Sequence, residues 1–287
     1  MLFLLAFLSL TLALPFASIT SLVGTLPQDL QAQQKRLWVI GDVHGCLDEL
    51  NALLVKMQYE PSNDQLIFTG DLVGKGPKSV QVVQRVQELN GLTVRGNHDD
   101  KVIRWKGFLN EYTARTGSKH AGTYVDESEV PEGLKLGREH QMLANLLPQP
   151  DYEFLRDSPL ILVIPDHAAL VVHAGLDPRF SLNELDQQDP MTIMTMRSID
   201  QGIASEDHQG TPWYEAWNEK QRESKRPWTV YYGHDARKGL QLHDYTVGVD
   251  TGCVNGRELT AIEIPTRTRI SVPCQRHFRD ADKTSNV

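Results

Sequence analysis

The chain has 287 residues, of which 40% are hydrophobic and 23% are charged, and its formal net charge is −8. This length and composition suffice for one catalytic domain with a leader and a tail. The acidic balance, with a pI near 5.7, speaks against a general nucleic-acid-binding surface.

The N-terminal segment is strongly apolar. No charged side chain precedes Asp29, and residues 2–14 form an almost unbroken apolar run. This run fits the hydrophobic region of a signal peptide, and residues 2–26 are long enough to span a bilayer. We expect residues 1–28 to be a signal anchor or signal peptide that directs the domain into the secretory pathway, and we favour the uncleaved anchor. A buried helix of the domain is the alternative.

Strands and helices are predicted to alternate in the first half of a domain over residues 35–272. Strands are expected over 35–40, 65–69 and 91–95, and helices over 46–58, 79–89 and 99–108. The polar segment 110–137 is predicted to be a loop or a small cap over the site.

The second half is predicted to form another sheet. Short helices are expected over 138–145 and 151–156, and strands over 160–164, 168–172, 229–232, 246–249 and 258–264. The segment 190–226 is expected to form the far wall of a cleft. Residues 273–287 are expected to be a polar tail.

Metal-ligating residue types follow the predicted strands. The blocks are Gly41-Asp42-Val43-His44-Gly45, Gly70-Asp71-Leu72-Val73 and Gly96-Asn97-His98-Asp99, and two histidines follow later strands. The blocks lie about 30 residues apart, the length of a strand–helix–strand unit, so their side chains should meet on neighbouring strands. Two hard divalent ions need a bridging carboxylate with imidazole and oxygen ligands. The predicted ligands are Asp42, His44, Asp71, Asn97, His173 and His234.

Each block also has a purely structural interpretation. A Gly-Asp pair is usually a turn, and a histidine after a β-branched run is more often a core residue than a ligand. The combination favours a metal site, because chance turns would not place Asp-x-His, Asp and Asn-His at successive strand ends.

In this order the motifs resemble the calcineurin-like metallophosphoesterase superfamily over about residues 36–264. The resemblance implies an α/β fold, a four-layer α/β/β/α sandwich with a dinuclear metal site between two sheets. It implies two divalent ions, zinc first, with cobalt, manganese or magnesium as alternatives. One ion would be held by Asp42, His44 and Asp71. The other would be held by Asp71, Asn97, His173 and His234, so that Asp71 is the bridging carboxylate.

The second block departs from the protein phosphatases of this superfamily. They carry Gly-Asp-x-x-Asp-Arg-Gly, in which the second aspartate orients the catalytic histidine and the arginine binds phosphate. Here Gly74 and Lys75 occupy those two positions, so what orients His98 is left open. The diadenosine tetraphosphatase (ApaH-like) branch tolerates the change, and segments 41–50 and 249–256 are similar to it. Its fungal offshoot, the vacuolar zinc-dependent endopolyphosphatases, is the group that the chain resembles most.

The resemblance implies a metal-dependent phosphoanhydride hydrolase. The first expectation is an endopolyphosphatase that cleaves internal bonds of inorganic polyphosphate with a hydroxide bridging the two metals. Alternatives are a diadenosine tetraphosphate or nucleotide pyrophosphohydrolase, a Ser/Thr protein phosphatase, and a tethered binding protein without turnover. His98 is expected to protonate the leaving oxygen, and Lys75 and Arg197 to bind substrate phosphate.

The expected partners are a polyphosphate or nucleotide polyphosphate substrate and a membrane bound through the N-terminal segment. The expected location is the vacuole, with the catalytic domain in the lumen. Cysteine usage does not decide the compartment, because the count of three is odd. Cys46 and Cys253 could pair in an oxidising lumen, but we expect both to be free buried thiols.

Overall fold

The computed structural model describes residues 21–117, 125 and 127–278. Over these residues the strands are β1 (Val23–Thr25), β2 (Arg36–Ile40), β3 (Asp64–Phe68), β4 (Leu92–Thr93), β5 (Ile161–Ile164), β6 (Ala169–Val172), β7 (Ser198–Asp200), β8 (Ile203–Ser205), β9 (Thr211–Pro212), β10 (Thr229–Tyr232), β11 (Gln241–Leu242), β12 (Thr246–Gly248), β13 (Glu258–Ile264) and β14 (Arg269–Pro273). The α-helices are α1 (Gln28–Ala32), α2 (Leu47–Met57), α3 (Ser79–Glu88), α4 (Asn97–Thr116), α5 (Glu139–Leu146), α6 (Gln149–Asp157), α7 (Pro190–Thr195) and α8 (Trp213–Arg222). Short 3₁₀ turns cover Glu127–Glu129, Pro165–His167 and Leu182–Gln187.

Two mixed sheets carry the fold. The larger has the strand order β1-β5-β6-β10-β12-β11, and the other has the order β14-β13-β2-β3-β4. A small third sheet has the order β8-β7-β9. In the second sheet β2, β3 and β4 are parallel, with Ile40 paired to Phe68. In the first, β6, β10 and β12 are parallel. Parallel pairing places the carboxyl ends of these strands at common edges.

The two sheets pack face to face and helices cover their outer faces. Val39 and Ile67 of one sheet share a buried cluster with Val171 and Val247 of the other. Leu50, Val83 and Val102 of α2, α3 and α4 pack on the outer face of the second sheet. Ile193, Trp213 and Trp217 of α7 and α8 pack on the outer face of the first. The predicted α/β/β/α layering is confirmed.

The domain begins before residue 35, inside the segment predicted as a leader. Strand β1 pairs in parallel with β5, Val23 opposite Ile161. Leu26 donates its N–H to the Val163 carbonyl at 2.8 Å, and its side chain lies in the core between the sheets. Edge pairing and burial therefore place this stretch in the fold. Residues 1–20, the rest of the predicted leader, lie outside the described residues.

Two other segments differ from the expectation. Helix α4 continues to Thr116, eight residues beyond the predicted end at 108, because Phe108, Leu109 and Tyr112 extend its packing face on the core. The start of the predicted tail is also folded. Cys274 forms a disulfide with Cys253, so the expectation of a free thiol at Cys253 is wrong. Cys46 is free and buried.

Candidate metal centre

The loops at the strand ends hold four site residues in the left-handed region of backbone space. The φ angles are 46° at His44, 50° at Asp71, 66° at Lys75 and 67° at His234. A non-glycine residue in this conformation costs about 1–3 kcal/mol and persists only where the surroundings enforce it. Such residues cluster at functional sites, and here they surround one point between the two sheets.

Asp42 follows β2 and is fixed by the neighbouring loops. Thr69 donates its hydroxyl to Asp42 Oδ1 at 3.1 Å, and the backbone N–H of His234 donates to Oδ2 at 3.1 Å. Gly233 permits this approach, since a Cβ there would lie 2.0 Å from Asp42 Oδ1. Burial, reinforced by the carboxylates of Asp250 and Asp71, raises the pKa of Asp42 well above its usual range. A cation at this point would relieve the repulsion.

Asp71 follows β3 and lies between histidines of both sheets. Its Oδ2 is 3.4 Å from His44 Nε2 and 3.5 Å from His173 Nε2. Its Oδ1 accepts the backbone N–H of His98 at 2.8 Å. Burial opposes ionisation, but the imidazoles of His173, His98 and His44 hold the pKa of Asp71 well below its usual range. An ionised carboxylate between two imidazoles has the chemistry required of a bridging metal ligand.

Three histidines have their protonated nitrogen fixed by a backbone carbonyl outside the centre. The pairs are His44 Nδ1 with Val73 at 3.0 Å, His173 Nδ1 with Thr69 at 2.8 Å and His234 Nε2 with Thr195 at 3.2 Å. Each carbonyl must accept, so the other ring nitrogen carries a lone pair in the neutral imidazole. Burial, followed by the charge of Lys75, lowers the pKa of His44 to about 4, which keeps this ring neutral and able to bind metal.

The lone pairs converge on one another. His173 Nε2 lies 3.2 Å from His234 Nδ1 and 3.0 Å from Asn97 Oδ1. Two lone-pair atoms in contact repel each other when no proton lies between them. A cation bound among these atoms would be coordinated by their lone pairs and would remove the repulsion. Ligand atoms lie within 4.8 Å of one another in two groups, one of Asp42, Asp71 and His173 and one of His44, Asp71 and His98. The predicted ligands in these groups fit two divalent ions that share Asp71, and His98, which is not a predicted ligand, adjoins the second group.

The structure brings all six predicted ligands together and places the predicted phosphate-binding side chains beside them. The ammonium of Lys75 lies 3.0 Å from His44 Nε2. Arg197 donates to the Glu206 carbonyl at 3.0 Å and lines a cavity together with Lys75 and His234. Asn97 and His98 are the first residues of α4, two residues before the predicted helix start.

Four further residues of the site had no predicted role. Asp99 and Asp250 lie in motif segments described above, whereas Thr69 and His140 had no sequence signal beyond their residue type. Thr69 bonds to Asp42, and the charge of Asp250 raises the pKa of Asp42. Asp99 Oδ1 accepts the Val73 N–H at 3.2 Å and Oδ2 accepts the Gly96 N–H at 3.0 Å, which ties the second block to the third. Burial, followed by the charge of Asp71, raises the pKa of Asp99 to about 8. The fourth residue is His140, whose Nε2 lies 2.9 Å from His98 Nδ1.

Two of the cavities at the centre share Lys75. The first, called the His98 cavity, has a volume of about 570 Å³ and is lined by His98, Lys75, Lys101, Trp105, Leu134, Lys135, Arg138, His140 and Phe278, among others. The second, called the His234 cavity, has a volume of about 270 Å³ and includes Lys75, Arg197, His208, His234 and Arg237. Although the chain is acidic overall, the His98 cavity holds four basic side chains and one acidic one, Glu139. Anions are therefore favoured there.

Comparison with known proteins identifies a family for the chain. The sequence model described as calcineurin-like phosphoesterase matches residues 35–253. A symmetrical bis(5′-nucleosyl)-tetraphosphatase from Coxiella burnetii is 28% identical over 85% of this chain and 94% of its own length. The asymmetrical bis(5′-nucleosyl)-tetraphosphatase PrpE from Oceanobacillus iheyensis is 29% identical over 84% of this chain and 93% of its own length.

Solved structures are also similar to this chain. A crystal structure provisionally named a diadenosine tetraphosphatase is 31% identical, with a TM-score of 0.69 over 89% of this chain and 99% of that one. A protein serine/threonine phosphatase from Saccharomyces cerevisiae has a TM-score of 0.51 at 16% identity, over 92% of this chain and 85% of that one. The second similarity shows the shared fold alone.

The expected location is wrong. The tetraphosphatases that match over most of the chain are bacterial proteins, which points away from a vacuolar membrane protein. Within residues 21–117, 125 and 127–278, no helix combines the length and apolar composition needed to cross a bilayer. The expected membrane partner depends on the N-terminal segment, of which residues 1–20 lie outside the described residues.

Proposed function

The chain belongs to the calcineurin-like phosphoesterase family, and from that premise we propose that it hydrolyses dinucleoside tetraphosphates with two divalent metal ions. The observation that carries the proposal is the pair of cavities that meet at Lys75, beside the converging ligands. A phosphate chain with a nucleoside at each end matches a charged centre from which two cavities open. The relatives named as bis(5′-nucleosyl)-tetraphosphatases support the same substrate class.

From the sequence, inorganic polyphosphate was the first expected substrate and a dinucleoside tetraphosphate an alternative. This proposal places the dinucleoside tetraphosphate first. The relatives named above act on nucleosyl tetraphosphates by name. The His98 cavity also offers apolar surface from Leu134 and Phe278 beside its basic groups. A nucleobase gains from such surface whereas inorganic polyphosphate does not.

The metal ligands in this proposal are those predicted from the sequence: Asp42, His44, Asp71, Asn97, His173 and His234. Two divalent ions bound by them would activate a water molecule and neutralise charge on the reacting phosphate. The metal identity is left to the experiment, with zinc, cobalt, manganese and magnesium as the candidates.

The remaining side chains hold the substrate and move a proton. Lys75 and Arg197 bind phosphate oxygens, Lys75 as a point charge and Arg197 through its planar guanidinium. His98 donates a proton to the leaving oxygen. Burial, followed by the charges of His44 and Lys75, holds the pKa of His98 well below its usual range. A bound anionic phosphate acts in the opposite direction and favours the imidazolium.

The leaving group explains why an aspartate at position 74 is dispensable. When a phosphoanhydride is cleaved, the leaving group is a nucleotide phosphate. This group needs a proton less than an alkoxide leaving group does. A serine or threonine leaving group would depend more strongly on a well-oriented acid. The Gly74-Lys75 pair therefore suits anhydride substrates better than phosphoproteins.

The test is a substrate panel with the full chain. Diadenosine tetraphosphate, long-chain polyphosphate and a phosphopeptide are each incubated with zinc, cobalt, manganese or magnesium, and the products are separated by ion-exchange chromatography. We expect rapid metal-dependent loss of diadenosine tetraphosphate. Two ADP molecules would indicate symmetrical cleavage, and ATP with AMP would indicate asymmetrical cleavage.

The Asp71→Asn variant, purified in parallel, controls for contaminating phosphatases and should be inactive on every substrate. Shortening of polyphosphate without hydrolysis of the dinucleotide would overturn the proposal in favour of an endopolyphosphatase. Activity on the phosphopeptide alone would overturn it in favour of a protein phosphatase.

A further inference from the structure

His140 contacts the ring of His98 at its Nδ1 nitrogen. His140 Nε2 lies 2.9 Å from His98 Nδ1, and the ring centroids are 4.9 Å apart with a tilt of 38°. At this distance the two nitrogens share a hydrogen bond, so one of them donates and the other accepts. The contact leaves Nε2 as the ring nitrogen of His98 that is free to serve a substrate.

The contact exists because Gly74 leaves the space beside His98 Nδ1 open. Gly74 has φ +87°, and a Cβ there would lie 3.0 Å from His98 Nδ1. An acidic side chain at this position would direct its carboxylate at the same nitrogen. With glycine there, the partner of Nδ1 comes from another element, the first turn of α5.

Helix α5 is anchored to the same loop by the residue next to His140. Glu139 Oε1 accepts the backbone N–H of Lys75, and Gln141 Oε1 accepts the backbone N–H of Gly137 at 2.7 Å. Gln141 is buried, so the first turn of the helix is held from both sides. His140 is thus presented to His98 from a rigid helix rather than from a loose loop.

We propose that His140 is the positioning residue for His98, accepting its Nδ1–H so that His98 Nε2–H points at the leaving oxygen. The inference rests on the proposed function only in taking His98 as the proton donor. His140 replaces the aspartate that the Gly74 position lacks. It does not touch substrate in this assignment and acts through His98.

The protons balance in the step that this assigns. The oxygen of water adds to phosphorus and water gives up one proton to solvent. The bridging P–O bond breaks, and its electron pair goes to the leaving oxygen, which takes the Nε2 proton of His98. His98 becomes neutral, keeps Nδ1–H on His140, and later regains a proton from solvent. Burial, followed by the charge of Lys101, lowers the pKa of His140 to about 4, so His140 stays neutral and keeps the lone pair that accepts.

The experiment compares His140→Ala, His140→Gln, His98→Ala and the double alanine variant on two aryl phosphates, alongside diadenosine tetraphosphate. Phenyl phosphate has a poorer leaving group than 4-nitrophenyl phosphate and needs the proton more. We expect His140→Ala to lower kcat about 10-fold or more on phenyl phosphate, less on 4-nitrophenyl phosphate, with KM nearly unchanged. Glutamine offers a carbonyl oxygen as acceptor and should restore most of the rate.

The double variant distinguishes a positioning role of His140 from a general structural role. If His140 acts through His98, the double variant is no slower than His98→Ala alone. His167→Ala, at an exposed histidine of the Pro165–His167 turn, is the matched control and should match the parent. Equal losses on both aryl phosphates, additive losses in the double variant, or no loss at all would overturn the assignment. Because the aryl phosphates report on His98 directly, the result stands even if diadenosine tetraphosphate is not the substrate.

Discussion

The ammonium of Lys75 lies 3.0 Å from Nε2 of His44, among the groups that we assign to metal. Lys75 also lines both cavities. A lysine so placed carries positive charge to the point where phosphate oxygens and cations meet. It therefore attracts substrate and repels a cation bound by His44.

The first prediction concerns this dual position. Lys75→Met should lower kcat/KM for the dinucleotide by about 10- to 100-fold, mainly through a higher KM, because a phosphate contact is lost. Affinity for divalent metal should rise, because a competing positive charge is removed. Steady-state kinetics and metal titration by calorimetry measure the two effects. Lys78→Met is the control, since Lys78 pairs with exposed Asp48 at the surface. Weaker metal binding in Lys75→Met would contradict the prediction.

The second prediction concerns the carboxylate shared by both ligand groups. Asp71→Asn should reduce bound metal and lower kcat on the order of 10³-fold or more, because an amide is a weaker ligand and cannot neutralise two cations. Elemental analysis after gel filtration gives the metal per chain. Asp48→Asn, at an exposed aspartate, should keep full metal content. Retention of both metals in Asp71→Asn would remove Asp71 from the bridging role.

The third prediction concerns the hydroxyl that orients Asp42. Thr69→Val removes the 3.1 Å hydrogen bond to Oδ1 with almost no change of shape. Metal affinity should fall about 10-fold, as is usual when the partner of a metal ligand is lost. Thr93→Val is the matched control, because Thr93 is buried but bonds only to the neighbouring Val94 carbonyl. Equal effects of the two substitutions on metal affinity would indicate general destabilisation.

The fourth prediction is a pH dependence of stability in chelated, metal-free protein. The folded pKa of His140 is about 4, below the usual 6.5, because of burial and then Lys101. The unfolded chain therefore binds the extra proton more readily, so this contribution to stability is complete above pH 6.5 and is lost as pH falls toward 4. His140→Gln should make the fall in unfolding free energy between pH 6.5 and 4 shallower, as measured by urea denaturation at several pH values. An unchanged slope would mean that His140 does not titrate in this way.

Much of the centre followed from the sequence alone. The ligand types stand directly after apolar strands, and parallel strands bring their carboxyl ends to a common edge. Local order along the chain was therefore enough to predict that Asp42, His44 and Asp71 lie together, and the family resemblance of the motifs implied the α/β/β/α layers. The same local information also suggested a leader through residue 28, where apolar composition does not distinguish a membrane segment from the edge strand β1 and the buried Leu26 that follows it.

Only the tertiary structure paired groups that no motif connects. His140 lies 42 positions from His98, and Thr69 lies 27 positions from Asp42. Neither follows a periodic pattern, because each contact depends on how one element docks on another. The same holds for Cys253 and Cys274, joined only when β14 returns the chain to the site loop. The sequence by itself determined which polar residues follow the strands and therefore which candidate ligands meet at the sheet edges. Docking between elements decided which groups orient them, because orientation depends on packing between residues far apart along the chain.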